Sequence, residues 1–251
     1  MRKRVFSLKG RVMLVIKPYL RENALLYANR FAFSQNPIFG NFAGIGGNCT
    51  NFVSQCIYAG SCKMNYKPTF GWYYISMNER APAWTGVDYF YNFITTNTDV
   101  GPFGKEASPD ELEVGDVIQL GKDGEGFYHT LIIIGFDGDD PLIAAQTDNA
   151  LGRALSTYTY DFARYIKILG VRLDTPTNDD CFESVYNGIA IIEDLSSSSA
   201  NPSPAPSTTP LPSPPPAPSP VPTPAPEAPQ ETEPAPTPAP SPSPTTEEPA
   251  Q

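Results

Sequence analysis

The sequence lacks an apolar run long enough to cross a membrane, and it has no clear export signal. A membrane-spanning helix needs roughly 20 consecutive apolar residues, and no stretch of the 251 residues approaches that length. We therefore predict no transmembrane segment. The first residues, MRKRVFSLKGRVMLVIKPYL, begin with basic side chains, but Lys9 and Arg11 interrupt the apolar residues and no small-residue cleavage site follows. This pattern is typical of a weak or absent secretion signal.

Positive charge is also scarce, and its distribution divides the chain. Lys and Arg number 17 against 27 Asp and Glu, for a formal net charge of −10. Nucleic-acid affinity comes largely from basic side chains that neutralise phosphates, so we expect no nucleic-acid partner. Residues 196–251 hold 21 of the 29 prolines, five glutamates and no Lys or Arg. We predict that this tail is disordered, as an extended proline-rich spacer. Residues 18–195 are then one domain, preceded by an N-terminal extension, residues 1–17.

Histidine and cysteine, the residue types of most zinc sites, are few. The chain has one histidine and four cysteines: Cys49, Cys56, Cys62 and Cys181. No C-x-x-C pair occurs, so we predict no metal site and no cofactor. The acidic stretch 137–140 lacks the later glutamate of a calcium loop and is interpreted as a hairpin turn. Cys62 and Cys181 could form a disulfide if the protein is exported, or remain two thiols.

Hydrophobic periodicity predicts helices in the first half of the domain and strands in the second. Apolar residues at three- and four-residue spacing indicate helices over 17–33, 49–60 and 87–94. Short apolar runs between turn residues indicate strands over 117–120, 129–135, 142–147 and 165–173. Strands joined by tight turns form an antiparallel meander. The pattern therefore predicts an α+β domain.

The stretch GGNCTNFVSQCIYAG, residues 46–60, places a cysteine at the start of a predicted helix. Asn48 is the expected N-cap, Cys49 lies in the first turn, and Cys56 lies two turns further in. The thiolate is the nucleophilic form of cysteine, and a helix N-terminus favours it and can stabilise an oxyanion. Cys49 is thus the candidate nucleophile and Cys56 a core residue. The alternative is that Cys49 is a small buried apolar residue.

A cysteine nucleophile needs a base, and the chain offers only His129. This residue stands at the head of a predicted apolar strand, where it could equally be a satisfied strand-edge histidine. Trp72 could line a substrate groove, although an aromatic core is the default for such a residue. Asp116 is expected to fix a turn and not to take part in chemistry.

The order of these motifs resembles the papain-like cysteine hydrolases of the bacterial cell wall, the NlpC/P60 and CHAP group. Residues 46–56, GGNCTNFVSQC, resemble more closely the GG(D/N)CTNFVSQ signature of the putative amidase domain family. The upstream pairs 27–28 and 36–37, the aromatic residues around Trp72, the GDVIQ stretch 115–119 and the pair 129–130 extend the resemblance over roughly residues 18–173. The resemblance implies a papain-like fold, in which the cysteine helix packs on the antiparallel meander.

The resemblance also implies the chemistry. Cys49 would attack an amide carbonyl of a peptide or peptidoglycan substrate, with His129 as the base and the helix start around Asn48 beside the oxyanion. A third polar residue on the next strand would orient the imidazole. Gln146 is favoured by register, and Asp148 is on the same face by strand alternation.

Two alternatives to this hydrolase stay open. The chain could be a non-catalytic module that binds the cell envelope on a proline-rich stalk, or the enzyme could transfer the acyl group to an amine. The compartment and the oligomeric state are not decided by the sequence. The resemblance and the tail favour the cell envelope or the extracellular space, whereas the N-terminus does not clearly direct export.

Overall fold

The computed structural model describes residues 13–174 and 181–189. The predicted tail, residues 196–251, and the first twelve residues of the predicted extension lie outside these ranges. The helices are α1 (Arg21–Phe31), α2 (Cys49–Ser61), α3 (Pro82–Thr85), α4 (Val87–Thr96) and α5 (Phe182–Tyr186). The strands are β1 (Val15–Lys17), β2 (Gly101–Ala107), β3 (Val117–Lys122), β4 (Gly126–Asp137), β5 (Asp140–Ala145), β6 (Ala150–Ala154) and β7 (Phe162–Leu173). The predicted α+β class is confirmed.

The strands form one antiparallel sheet in the order β1-β7-β3-β4-β5-β6, with β2 also paired to β7. Strands β3 to β6 follow one another as the predicted meander does. The prediction was wrong about β7, which returns to pair with β3, Val117 lying opposite Ile166. It also missed β1, β2 and β6. Strand β1 lies inside the predicted extension and pairs with the end of β7, Val15 opposite Leu173, so the packed domain already includes Val15.

Two apolar clusters cover the two faces of the sheet. The larger one packs α1, α2 and α4 against the face that carries Val117, Ile132 and Ala144. The smaller one packs against the opposite face, around Leu120 and Leu131. Side chains alternate between the faces of a strand, so neighbouring residues of β4 belong to different clusters. This alternation determines what each polar side chain near the start of β4 can reach.

Helix α2 is the centre of the larger cluster, since every residue from Cys49 to Gly60 is buried. Its polar residues are therefore bonded inside the protein. The Ser54 hydroxyl accepts from the Trp72 indole at 3.0 Å, and the Asn51 carbonyl oxygen accepts from the Trp84 indole at 2.8 Å. The Gln55 side chain accepts from the Tyr27 hydroxyl at 2.6 Å. Most polar positions of the TNFVSQ stretch thus hold the helix in place.

A disulfide joins Cys62, the residue that follows α2, to Cys181, the residue that precedes α5. This answers the alternative that the sequence left open for these two cysteines. The bond closes a loop with a sequence separation of 119 residues. A cross-link over a long loop stabilises the fold, in the chain-entropy description, by restricting the unfolded chain.

Within the described ranges, no helix is both long and apolar enough to cross a membrane.

Candidate functional site

The candidate nucleophile Cys49 is the first residue of α2 and is 5% exposed. Asn48 occupies the N-cap position, as predicted, but its side chain makes no cap hydrogen bond. Its carbonyl oxygen instead accepts from the Phe42 N–H at 3.0 Å and from the Asn51 amide at 2.8 Å. The first turn of α2 therefore keeps N–H groups that no side-chain cap occupies, which suits the binding of an anion or oxyanion. Gly47, with φ of 99°, supplies the left-handed turn into this helix start.

The start of α2 lies against the start of β4. The Cys49 sulfur is 4.0 Å from the carbonyl oxygen of Tyr128. The hydroxyls of Thr50 and Thr130 are 2.9 Å apart, and the Gln119 amide donates to the Thr130 hydroxyl at 3.1 Å. The structure therefore brings Cys49 to the peptide that precedes the single histidine of the chain.

The imidazole of His129 lies on the side of the sheet away from α2, because side chains alternate along β4 and the neighbouring Thr130 contacts Thr50 of α2. Its cross-strand partner is Leu120, which belongs to the smaller cluster, and its ring centroid is 6.3 Å from that of Tyr158. No hydrogen bond joins the imidazole to the sulfur of Cys49 within the described residues. The His129 Nε2 and the Tyr158 hydroxyl are both buried without a hydrogen-bond partner there. Such groups cost about 1–3 kcal/mol each and call for an explanation.

The electrostatic surroundings of His129 favour its neutral form. Burial lowers its pKa from 6.5 to about 4; the carboxylate of Asp148 acts in the opposite direction, and the guanidinium of Arg153 lowers the pKa further. These two groups form an ion pair of 2.8 Å, so their effects on the imidazole partly cancel. A neutral imidazole can act as a general base at neutral pH.

The lowered pKa predicts an acid-sensitive fold. The folded protein binds the His129 proton less readily than the unfolded chain does, so stability is complete above pH 6.5 and falls as the pH drops toward about 4. Between pH 7 and pH 5 we expect this one group to lower the free energy of unfolding by about 2 kcal/mol. Urea unfolding at both pH values measures the loss. In His129→Gln the loss should be smaller by that amount, and an equal loss in the two proteins would contradict the prediction.

The two residues predicted to orient the imidazole have different surroundings. The amide of Gln146 donates to the carbonyl oxygens of Phe31 at 2.6 Å and Ser34 at 3.1 Å, and its oxygen accepts from Asn48. No hydrogen bond joins Gln146 to His129 within the described part of the chain. The register explains this, because Ile132 pairs with Ala144 and Gln146, two residues further on, shares the α2 side of the sheet with Ala144. Its predicted orienting role has no contact to support it.

Asp148 is the second of these residues, and no hydrogen bond joins it to His129 within the described part of the chain. Its charge raises the pKa of His129, although its side chain is 69% exposed and bonded to Arg153. Arg153, Tyr158 and Thr147 also belong to this region. Thr147 ends the strand predicted over 142–147, whereas Arg153 and Tyr158 lie in β6 and just after it, where the sequence shows no strand periodicity.

Trp72 does not line the site. It is fully buried, packs against Trp84 with a centroid distance of 4.8 Å and stacks on Phe93 at 6.1 Å. The prediction that it contacts substrate was therefore wrong, and the core alternative is the one observed.

Cys56 is also fully buried, and burial raises the pKa of its thiol well above the usual value. Asp116 anchors a turn, as expected, with its carboxylate accepting from the Glu113 N–H at 2.8 Å.

The described residues contain no group of three or more His, Cys, Asp or Glu side chains placed to hold a metal ion. Two of the groups on which a reaction could depend, the thiol of Cys49 and the first-turn N–H groups, lie at the start of α2. The imidazole of His129 lies on the side of the sheet that carries Leu120.

Comparisons with known proteins agree with the family resemblance. A family model described as "Putative amidase domain" matches residues 18–169, more than half of the chain. The chain is 37% identical over 134 residues to "Uncharacterized protein YhbB" of Bacillus subtilis (strain 168). That alignment covers 51% of this chain and 42% of the relative, so the chain spans less than half of the relative's length. No solved structure matches. The chain belongs to the putative amidase domain family, whose name indicates hydrolysis of amide bonds.

Proposed function

We propose that the protein is a cysteine amidase or peptidase that cleaves an amide bond in a peptide, with the peptide part of peptidoglycan as its substrate. The observation that carries the proposal is the position of Cys49. It is the first residue of a helix whose N-terminus has no side-chain cap, and it contacts the peptide that precedes His129. Among the described cysteines, the only other free thiol is the deeply buried Cys56.

The proposed reaction has two stages. The Cys49 thiol loses its proton to the neutral imidazole of His129, and the sulfur attacks the amide carbonyl carbon to form a tetrahedral oxyanion. N–H groups of the first turn of α2 stabilise this oxyanion. The imidazolium returns the proton to the nitrogen, the amine leaves, and a thioester remains on the sulfur. A water molecule that gives a proton to His129 then attacks the thioester, which releases the acid and restores the thiol.

This mechanism requires the imidazole of His129, which lies on the side of the sheet that carries Leu120, to turn toward the start of α2, where the Cys49 sulfur lies. Catalytic hydrogen bonds are often long or absent without substrate and form in the bound complex. The unpartnered Nε2 of His129 supports such a movement, because no hydrogen bond to this nitrogen has to break. The charge pair of Asp148 and Arg153 lies within electrostatic reach of the ring.

Alkylation of the folded protein by iodoacetamide tests the proposal. We expect Cys49 to react first, at mildly acidic pH, and Cys56 to stay unreacted because it is fully buried with a raised pKa. Cys62 and Cys181 are held in their disulfide. Peptide mass spectrometry assigns the label, His129→Gln should slow it, and Cys49→Ala should remove it. Equally slow labelling of Cys49 and Cys56 would contradict the proposal. Binding to purified cell wall without release of amines would then favour the envelope-binding module.

A further inference from the structure

A cavity of about 470 Å³ opens beside the start of α2. Nine residues line it: Phe33, Ser34, Gln35, Asn41, Ala43, Asn48, Gln146, Thr147 and Asn149. None of these side chains carries a charge, and seven of them end in an amide or a hydroxyl. The volume lies within the range of pockets that bind small ligands, and the lining is more polar than in most such pockets.

Hydrogen bonds hold the side of the cavity that is nearest to the candidate nucleophile. Asn48, which precedes Cys49 in the chain, donates its backbone N–H to the Thr147 hydroxyl and its side-chain amide to Gln146. Thr147 has φ of 77°, a left-handed conformation that is a genuine outlier for a β-branched residue. Such strain costs about 1–3 kcal/mol and concentrates at ligand and active sites. Because Asn48 lines the cavity and precedes Cys49 in the chain, a group bound in the cavity would lie near the start of α2.

The lining determines which chemistry fits. A carboxylate or an ammonium entering the cavity would lose water and meet no opposite charge, which is costly. An amide presents both donors and acceptors, as the lining side chains do. Their hydrogen bonds within the protein leave capacity unused. The Asn41 oxygen accepts from the Ala43 N–H at 2.8 Å, and the Gln35 amide donates to the Phe39 carbonyl at 3.0 Å.

We propose that this cavity binds an uncharged carboxamide of the substrate, and that it selects peptides with a side-chain amide over those with a free carboxylate or an amine beside the cleaved bond. This inference rests on the proposed function, since it places the cavity beside the attacked carbonyl. Asn41 and Gln35 are then specificity-determining residues, and Asn48 connects the cavity to the nucleophile.

Equilibrium binding measures the selection apart from catalysis. Three acetylated and amidated tripeptides, Ala-Gln-Ala, Ala-Glu-Ala and Ala-Lys-Ala, are titrated into full-length Cys49→Ala protein by calorimetry. We expect the Gln peptide to bind at least about 10-fold more tightly than the other two, because only its side chain stays uncharged. Equal affinities, or no binding of the Gln peptide, would overturn the proposal.

A charge change in the lining provides the second measurement. Asn41→Asp, added to Cys49→Ala, keeps the oxygen that accepts from Ala43 and adds a negative charge. The affinity of the Lys peptide relative to the Gln peptide should rise about 10-fold. Asn92→Asp is the matched control, because Asn92 is exposed on α4, lines a different groove and changes the net charge equally. Equal shifts in both variants would show only an effect of overall charge and would also overturn the proposal.

The two proposals fail in different ways. Hydrolysis of the same peptides by the wild-type protein, followed by mass spectrometry, measures the proposed function. Hydrolysis without any preference among the three peptides would contradict the proposed specificity of the cavity and support the proposed amidase activity. Selective binding of the Gln peptide without hydrolysis of any of the three would support the cavity and count against the cysteine mechanism.

Discussion

Replacement of Cys49 by alanine should abolish amide hydrolysis. The variant lacks the only sulfur at the start of α2, so the thioester cannot form. Loss of a catalytic nucleophile lowers kcat by on the order of 10⁴-fold or more. Digests of cell-wall peptide by the wild type and by the variant, compared by mass spectrometry of the products, measure the loss. Because the side chain becomes smaller and stays apolar at a site that is 5% exposed, the fold should tolerate the change.

Cys56→Ala is the matched control for this experiment. It removes the other free thiol seen in the described residues, from the fully buried interior of the same helix. We expect kcat to stay within about 3-fold of the wild type, because Cys56 lies two turns further into α2 than Cys49, while stability falls by about 1–2 kcal/mol through the cavity created. Activity that survives in Cys49→Ala and disappears in Cys56→Ala would exclude the proposed nucleophile.

The helices and the central strands could be predicted from the sequence because their periodicity is local. Helix α2 was expected to end at Gly60 and ends at Ser61, and β3, β4, β5 and β7 each appear near their expected positions. The place of β7 could not be predicted in the same way. Pairing between strands is decided by long-range packing, and the return of β7 to β3 depends on contacts such as Ile118 with Tyr165.

In the candidate site, too, the local features could be predicted from the sequence and the long-range contacts could not. The position of Cys49 could be predicted because a helix start is a local feature, marked by the left-handed Gly46 and Gly47. The partners of His129 could not, because a shift of one residue in register moves a side chain to the other face of the sheet. Gln146 lies on the side of α2, and His129 lies with Leu120 on the other.

Most polar residues of the signature stretch in α2 form hydrogen bonds that hold the helix in place, and only Cys49 has a proposed catalytic role. The Asn36 amide donates to the Tyr27 hydroxyl at 2.9 Å, and that hydroxyl donates to Gln55. Residues of three separated sequence segments thus form one buried chain of hydrogen bonds below the nucleophile. Most of the resemblance concerns the network that holds α2, so it supports the fold more strongly than it supports any one catalytic partner.

The buried carboxylate of Asp116 should be the most stability-critical polar group among those described. It is fully buried and accepts from the Arg21 guanidinium at 2.8 Å, the Ile168 N–H at 2.9 Å and the Glu113 N–H at 2.8 Å. These bonds join α1, β7 and the turn before β3. Burial raises the pKa of Asp116, and the three donors act against that rise. Both carboxylate oxygens accept hydrogen bonds, Oδ1 from Arg21 and Ile168 and Oδ2 from Glu113.

We expect Asp116→Ala to lower the free energy of unfolding by about 3–5 kcal/mol, because it leaves the N–H groups of Ile168 and Glu113 without an acceptor and removes the buried carboxylate that pairs with Arg21. Glu113→Ala is the matched control. Glu113 also pairs with Arg21, at 3.3 Å, but its side chain is 57% exposed, and an exposed pair contributes only about 0–1 kcal/mol. Urea unfolding at pH 7 with the Cys62–Cys181 disulfide intact measures both. Similar losses in the two variants would mean that Arg21 is held by its exposed partner and that the carboxylate of Asp116 does not connect the helix to the sheet.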